Sequence, residues 1–465
     1  MRVIHVVTAF PRHADDPITP WLVELVRRQR AAGLDASVLA PAYRGGPVAE
    51  PTDLAVHRFR YAPAPLETLT HDQTVPDRLR GSPLQALLVP LYLLGGVLAA
   101  WRIARRSPPD IVHVHWPMPH AVFGAALRLA SRGRSAVVCS YYSVEIHWIR
   151  ARLAFLIPFL RWTARTADEV TAISTSTAAA VRSLVERPVA VIPYGAALAD
   201  DGARPAREAF AGPDDEPVRV LFVGRLVERK GVEVLVRAIA EGRETFGRPV
   251  ELRIVGSGAW SPKIAAAIEE HGLGEPAGGE SGDGGEGRDG RDGSPSGPYE
   301  NGFSQGAGHT HADTPVDTPA NRGETPDRPP ARAVLLGRLS DAALRHEYVA
   351  ADVLVLPAVR DAKGDTEGLG VVLLEALRFE RPVVGSDIGG IPDIIRDGET
   401  GILCPPGDSG ALAATLAELI RNPEGARELA QRGRIHAAAT FGWAAVVGAT
   451  TAAYERAVKA RRGGG

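Results

Sequence analysis

The sequence predicts an α/β fold: two doubly wound parallel sheets facing each other across a cleft. Three observations predict it. A chain of 465 residues is too long for one ordinary core. Short apolar runs alternate with helical patterns from the first residues onward. After a polar linker, Asp200 to Pro217, that alternation starts again.

The first series of runs is RVIHVVTAF from Arg2, DASVLAP from Asp35, AVHRF from Ala55, DIVHVHW from Asp110, SAVVCSYY from Ser135, EVTAIS from Glu169 and VAVIPYG from Val189. The second is VRVLFVGRL from Val218, VELRIVGSG from Val250, AVLLGRL from Ala333, VLVLPA from Val353, PVVGSD from Pro382 and GILCPP from Gly401. Their apolar density suits parallel strands covered on both faces. In such a fold ligands bind beyond the carboxyl ends of the strands. The expected boundaries are 1–205 for the first domain, 206–438 for the second, and 439–465 for a C-terminal helix that crosses back. An insertion, 276–330, is crowded with Gly, Pro, Asp, Ser and Thr and lacks Leu, Ile, Met and Trp. Such a composition predicts disorder. His309, His311 and Asp313 alternate within it, but a metal site needs a folded frame to hold them.

Composition narrows the function. A net charge of −2 argues against a nucleic-acid partner. Two cysteines are too few for a disulfide framework or a zinc site. Met1-Arg-Val-Ile-His-Val-Val runs straight into a strand, so no secretory leader is expected and the cytoplasm is the expected compartment. Ser82 to Trp101 is uncharged and reaches the lower length limit for a membrane span, but Pro90 and Gly95-Gly96 interrupt it. A buried or interfacial helix is the expectation. With the basic-aromatic stretch Trp148 to Arg165, it suggests peripheral contact with the inner face of a membrane.

Two segments could carry chemistry. In DTEGLGVVLLEAL, Asp365 to Leu377, Gly368 and Gly370 let backbone approach a ligand at a helix start, where free N–H groups favour a phosphate or hydroxyl-rich group. Glu367 stands at that mouth. Glu375 is expected two turns along the same helix, about 12 Å away by helix rise. In FVGRLVERKG, Phe222 to Gly231, Gly224 makes room while Arg225 and Lys230 form a seat for a diphosphate. No P-loop is present, and Val255 to Gly258 (VGSG), at the end of a strand run, lacks the third glycine of a Rossmann G-x-G-x-x-G fingerprint. Two cations and two carboxylates describe a diphosphate with hydroxyl-bearing groups at both ends, the shape of a nucleotide sugar.

At these residues the chain resembles the family-4 (group 1) retaining glycosyltransferases, whose GT-B fold has two Rossmann-like domains. The resemblance rests on EGLGVVLLE from Glu367, RPVVGSDIGGIP from Arg381, DGETG from Asp397, PPGD from Pro405, GRLVERKG from Gly224, LGRLSD from Leu336, ADVLVLP from Ala351 and DIVHVH from Asp110. It implies that Glu367 contacts the donor sugar and Glu375 the ribose. It implies that Arg225 and Lys230 neutralise the leaving diphosphate. The backbone at Gly368, Leu369, Gly370 and Val371 would line the sugar and phosphate, and that around Leu339 the base. The donor would be a UDP-, GDP- or ADP-sugar, the acceptor a hydroxyl of a glycan, glycolipid or small glycoside, with no separate cofactor. No D-x-D occurs, so no metal is expected.

Three departures fall in the first domain, which reads the acceptor in this family. AFPRHADDPITP from Ala9 lacks a Gly-Gly pair, CSYYSVE from Cys139 puts Tyr142 and Ser143 in place of His-Gly, and YGAA from Tyr194 replaces Asn-Gly-Val-Asp. Tyr142, Glu145 and His115 are the acceptor-side candidates. Tyr142 is expected to orient substrate, because a phenol is a poor base at neutral pH. His113 and His115 share one strand face and are expected to be hydrogen-bonded rather than metal ligands. A nucleotide-sugar epimerase of similar architecture and a non-catalytic sugar-nucleotide-binding protein are the alternatives.

Overall fold

Residues 1–13, 16, 18–45, 53–70, 83–195, 208–274 and 331–463 are described by the computed structural model. Thirteen strands form two all-parallel sheets among them. The first runs β3(Ala55–Phe59), β2(Asp35–Pro41), β1(Arg2–Val6), β4(Ile111–His115), β5(Ala136–Tyr141), β6(Glu169–Ala172), β7(Ala190–Val191). The second runs β10(Ala331–Gly337), β9(Val250–Val255), β8(Val218–Val223), β11(Val353–Leu356), β12(Val383–Ser386), β13(Ile402–Cys404). Both orders reverse beside the first strand of their series, which is the doubly wound arrangement the sequence predicts.

Every expected run overlaps a strand, usually a shorter one, and β10 begins two residues ahead of its run, at Ala331. The run from Val218 leaves the sheet after Val223, so that Gly224, Arg225 and Leu226 fall in the loop beyond it. The run from Val189 keeps only two paired residues, because Pro188 and Pro193 flank an edge position and neither can donate to a ladder.

Alternation along the first sheet divides its core. Ile4, Val6, Val112, Val114, Val137 and Cys139 face one way, under helices that include Leu88–Arg106, Pro117–Ala130 and Ile157–Thr166. Val3, Ile111, Ala136 and Val138 face the other way, under helix Pro20–Ala31 and the last helix, Trp443–Gly463. That last helix returns to the first sheet and fixes itself there: Arg456 pairs with Glu169 and Arg461 bonds the Gly133 carbonyl. Both cysteines are buried and free.

The apolar helix corrects one expectation. Pro90 and Gly95-Gly96 do not interrupt it; the helix runs unbroken over Leu88–Arg106. Pro90 lies in the first turn, where its missing N–H costs nothing. Gly96 rests on the Phe123 ring, which a Cβ there would approach to 2.2 Å. The insertion 276–330, with His309, His311 and Asp313, lies outside the described residues. Its flanks are close neighbours, since the Ala333 N–H donates to the Leu273 carbonyl at 2.8 Å.

Candidate active site

Three loops at the carboxyl ends of β8, β11 and β12 build the site in the second sheet. Beyond β8 the chain makes a 3-10 turn, Glu228–Lys230, before the helix Val232–Gly242. Gly231 joins them at φ +64°, with its Cα so close to the Pro357 carbonyl that a Cβ would sit 1.8 Å from the oxygen. The Val359 N–H donates to the Arg229 carbonyl and the Ala362 N–H to the Glu228 carboxylate, tying this turn to the segment after β11. Gly389, at φ +64° in the β12 loop, presses equally closely on the Glu367 carbonyl. Only glycine fits at either contact.

This frame brings Glu367 and Lys230 together. Lys230 Nζ lies 2.6 Å from Glu367 Oε2, and Arg229 Nη1 lies 3.3 Å from the same oxygen. Burial opposes the charge on Glu367, but Lys230, Arg229 and Arg225 together hold its carboxyl below the usual range. It is therefore ionised at neutral pH. Arg225 is exposed at the end of β8 and acts on Glu367 through its charge. Arg229 is the residue that sequence reasoning missed. Three successive charges, Glu228-Arg-Lys, look alike in a sequence, and only the 3-10 turn turns the second and third toward Glu367.

Glu367 precedes the helix instead of lying on it. Gly370, at φ +93°, caps the helix Val371–Arg378, so Glu375 alone of the pair is helical and the helix-rise distance does not apply. Glu375 is half-buried and accepts a 2.6 Å hydrogen bond from Tyr348. Burial pushes its carboxyl up to about 7, against the pull of Tyr348 and Arg378. Gly368 lies beside the Ile173 side chain and the Tyr142 carbonyl of the first sheet, while Leu369 is fully buried in the second core. Leu339, after β10, is half-buried against that core, just ahead of helix Asp341–Ala350.

On the opposite wall, His115 ends β4 and Tyr142 is the first residue beyond β5. The residues that follow them adopt left-handed backbone, Ser143 at φ +80° and Trp116 at φ +50°. Such conformations cost on the order of 1–3 kcal/mol and are held by their surroundings. Tyr142 stacks on Trp116 with ring centres 4.5 Å apart, and Trp21 stacks on Tyr194 at 5.0 Å. The Tyr142 N–H donates to Glu145 Oε1 at 2.8 Å, while Glu145 Oε2 is buried and makes no hydrogen bond among the described residues. Burial pushes the Glu145 carboxyl up to about 7.

Behind Tyr142 a polar chain runs through the sheet. His115 Nδ1 meets the Tyr142 hydroxyl at 2.6 Å, His115 Nε2 meets His5 Nδ1 at 2.9 Å, and His5 Nε2 meets Gln29 Oε1 at 2.8 Å. The Gln29 amide N–H₂ donates to the Tyr454 hydroxyl, which meets His113 Nδ1, and His113 Nε2 meets Ser140 Oγ. Burial keeps all three histidines uncharged, with His5 lowered to about 4. The proton positions then follow from Gln29. Its carbonyl can only accept, so His5 carries its proton on Nε2, His115 carries its own on Nε2, and Tyr142 donates to His115 Nδ1. His5, His113 and His115 have ligand atoms within 4.8 Å of one another and could hold a metal ion, but only by breaking these bonds. The histidines are hydrogen-bonded, as their strand position predicts. His5, Gln29 and Tyr454 were not foreseen. A cavity of about 30 Å³ beside Tyr142, Tyr194 and Trp443 has room for roughly one water molecule.

Comparison with known proteins agrees with this geometry. Residues 20–199 match the family described as Glycosyltransferase Family 4, and residues 204–276 with 329–436 match Glycosyl transferases group 1. The chain is 27% identical over 335 residues to a GDP-mannose-dependent alpha-(1-6)-phosphatidylinositol monomannoside mannosyltransferase of Mycolicibacterium smegmatis, covering 69% of this chain and 72% of the relative. It is 24% identical over 381 residues to a glycogen synthase of Mycobacterium tuberculosis, covering 79% and 72%. Among solved structures, sucrose-phosphate synthase from Thermosynechococcus elongatus superposes with a TM-score of 0.66 at 21% identity, covering 98% of both chains. Anabaena HepE in complex with UDP and glucose gives 0.61 at 17% identity, covering 97% and 98%. Those two likenesses establish the fold.

Proposed function

The chain belongs to the group 1 glycosyl transferases, and from that premise we propose how it transfers a sugar from a nucleotide-sugar donor. The reaction is read as retaining and metal-independent, with a hydroxyl acceptor. The observation that carries this reading is the group of three cations, Arg225, Arg229 and Lys230, bearing on one carboxylate, Glu367. Their excess of positive charge suits a diphosphate, whose negative charge grows as the bond to the anomeric carbon breaks. That electron pair goes to the diphosphate oxygen. The acceptor oxygen bonds the same face of the carbon, and its proton passes to the departing diphosphate. No protein base is needed.

Glu367 is then the partner of the donor sugar's hydroxyls and Glu375 of the ribose hydroxyls, with Gly368 to Val371 lining the sugar. Cations that do a metal's work make activity independent of a chelator. Transfer abolished by EDTA and restored by Mg²⁺ would overturn that assignment. The M. smegmatis relative is named for GDP-mannose and the Anabaena structure holds UDP and glucose, so the base is a matter for measurement. In a thermal-shift series with UDP, GDP, ADP, CDP and dTDP, one diphosphate should raise the melting temperature well above the rest. If none did, the donor reading would fail. The epimerase and non-catalytic alternatives are not favoured by these relatives.

A further inference from the structure

Helix Leu88–Arg106 has two unlike faces. Tyr92, Gly96, Ala100 and Ala104, four residues apart, are buried against the first sheet's core. Leu87, Leu91, Leu94, Leu98 and Trp101 form a stripe on the opposite side, with Leu87 70% exposed and Leu94 56%. The same helical layer exposes Leu129 at 69% and Phe155 at 73%, with Trp162 beside them. Large apolar side chains gathered on one layer of a soluble domain mark a contact surface.

Charge says what kind of surface it meets. Residues 83–166 contain ten arginines and two acidic residues, Asp110 and the buried Glu145, in a chain whose net charge is −2. Arg102, Arg105, Arg106, Arg161 and Arg165 are exposed and make no ion pair or hydrogen bond among the described residues. Guanidinium groups beside a leucine stripe suit lipid phosphates at the edge of an acyl layer.

We propose that this layer docks on an anionic bilayer, with the helix lying in the interface and not crossing it. The segment Gln85–Arg106 is long and apolar enough to cross. Crossing would, however, pull Tyr92 out of its hydrogen bond to His120 and out of the ring cluster with Phe59, Tyr61 and Phe123. Lying flat, the helix keeps that inner face and buries the outer one. The inference is independent of the donor and of the transfer reaction.

Flotation of the full chain with phosphatidylcholine vesicles, with and without phosphatidylglycerol, tests it. Binding should be at least about tenfold stronger to the anionic vesicles, given that each arginine near the surface adds several-fold. The variant Leu91→Ser/Leu94→Ser/Leu98→Ser should lose flotation at an unchanged melting temperature. The variant Arg102→Gln/Arg105→Gln/Arg106→Gln should lose the preference for anionic lipid. If the leucine variant fails to fold, Leu94→Ser alone should weaken flotation in the same direction. Wild-type protein that floats with neither vesicle overturns the proposal. So does flotation that ignores both sets of substitutions, or bound protein that resists alkaline carbonate as a spanning helix would. A lipid-free dimer dissolved by the leucine substitutions would assign the stripe to a second copy and overturn it equally.

Discussion

Glu367 and Lys230 form an ion pair, so removing either has unequal consequences. Glu367→Gln takes a negative charge from beside three cations and should bind nucleoside diphosphate at least as tightly as wild type. Its turnover should nevertheless fall by roughly 10²–10³, the loss expected for one charge-assisted contact made in the transition state. Lys230→Ala should weaken both binding and turnover. Calorimetric titration beside steady-state kinetics separates the two, and near-native turnover in both variants would remove Glu367 and Lys230 from the reaction. Glu145 makes a different test. Its carboxyl is raised to about 7 by burial, from an ordinary 4.5, so the folded chain keeps a proton that the unfolded chain has released. The stability gained is fully present below about pH 4.5 and is lost as pH rises through about 7. Glu145→Gln keeps an acceptor for the Tyr142 N–H and cannot ionise. Its melting temperature relative to wild type should climb between about pH 5 and about pH 8. A flat difference across that window would mean that Glu145 ionises normally.

At the scale of elements, the loops matter through their close contacts. A Cβ at Gly389 would stand 2.0 Å from the Glu367 carbonyl oxygen, in a backbone conformation that alanine resists. Gly389→Ala should push the Glu367 loop away from Lys230, lowering nucleotide affinity more than the melting temperature. Unchanged affinity would show that the loop tolerates the shift. Strands and strand-end glycines were legible in the sequence because parallel strands read as apolar runs and tight loops need particular residues. The contact between Glu367 and its cations was legible only as charges at strand ends, since Arg229 and Glu367 are 138 residues apart. The histidine chain was less legible still. Its members come from β1, β4, β5 and two helices, and only the assembled sheet shows that they share a face. Glu375 was placed on the right helix, but helix rise is no measure of its separation from Glu367, because Gly370 starts the helix three residues later than a continuous pattern suggests.

For the molecule as a whole, the insertion between Gly274 and Ala331 should be dispensable. Its flanking segments already meet at the Ala333–Leu273 hydrogen bond, so a short Gly/Ser bridge can close the gap, and a shorter loop costs less entropy to close. Replacing 276–330 should leave melting temperature and nucleoside diphosphate affinity unchanged, and a large drop in either would show that the segment supports the site. The last helix bears on the molecule differently. Tyr454 supplies the hydroxyl that Gln29 and His113 share beneath the first sheet, though the ribosome makes it hundreds of residues after both. Until Trp443–Gly463 emerges, a nascent first half has its strands and helix Pro20–Ala31 but lacks the rest of the cover over Ala136 and Val138. This protein therefore cannot finish its first half before its second. A stalled chain released short of Trp443 should remain a client of chaperones, however complete its sheets.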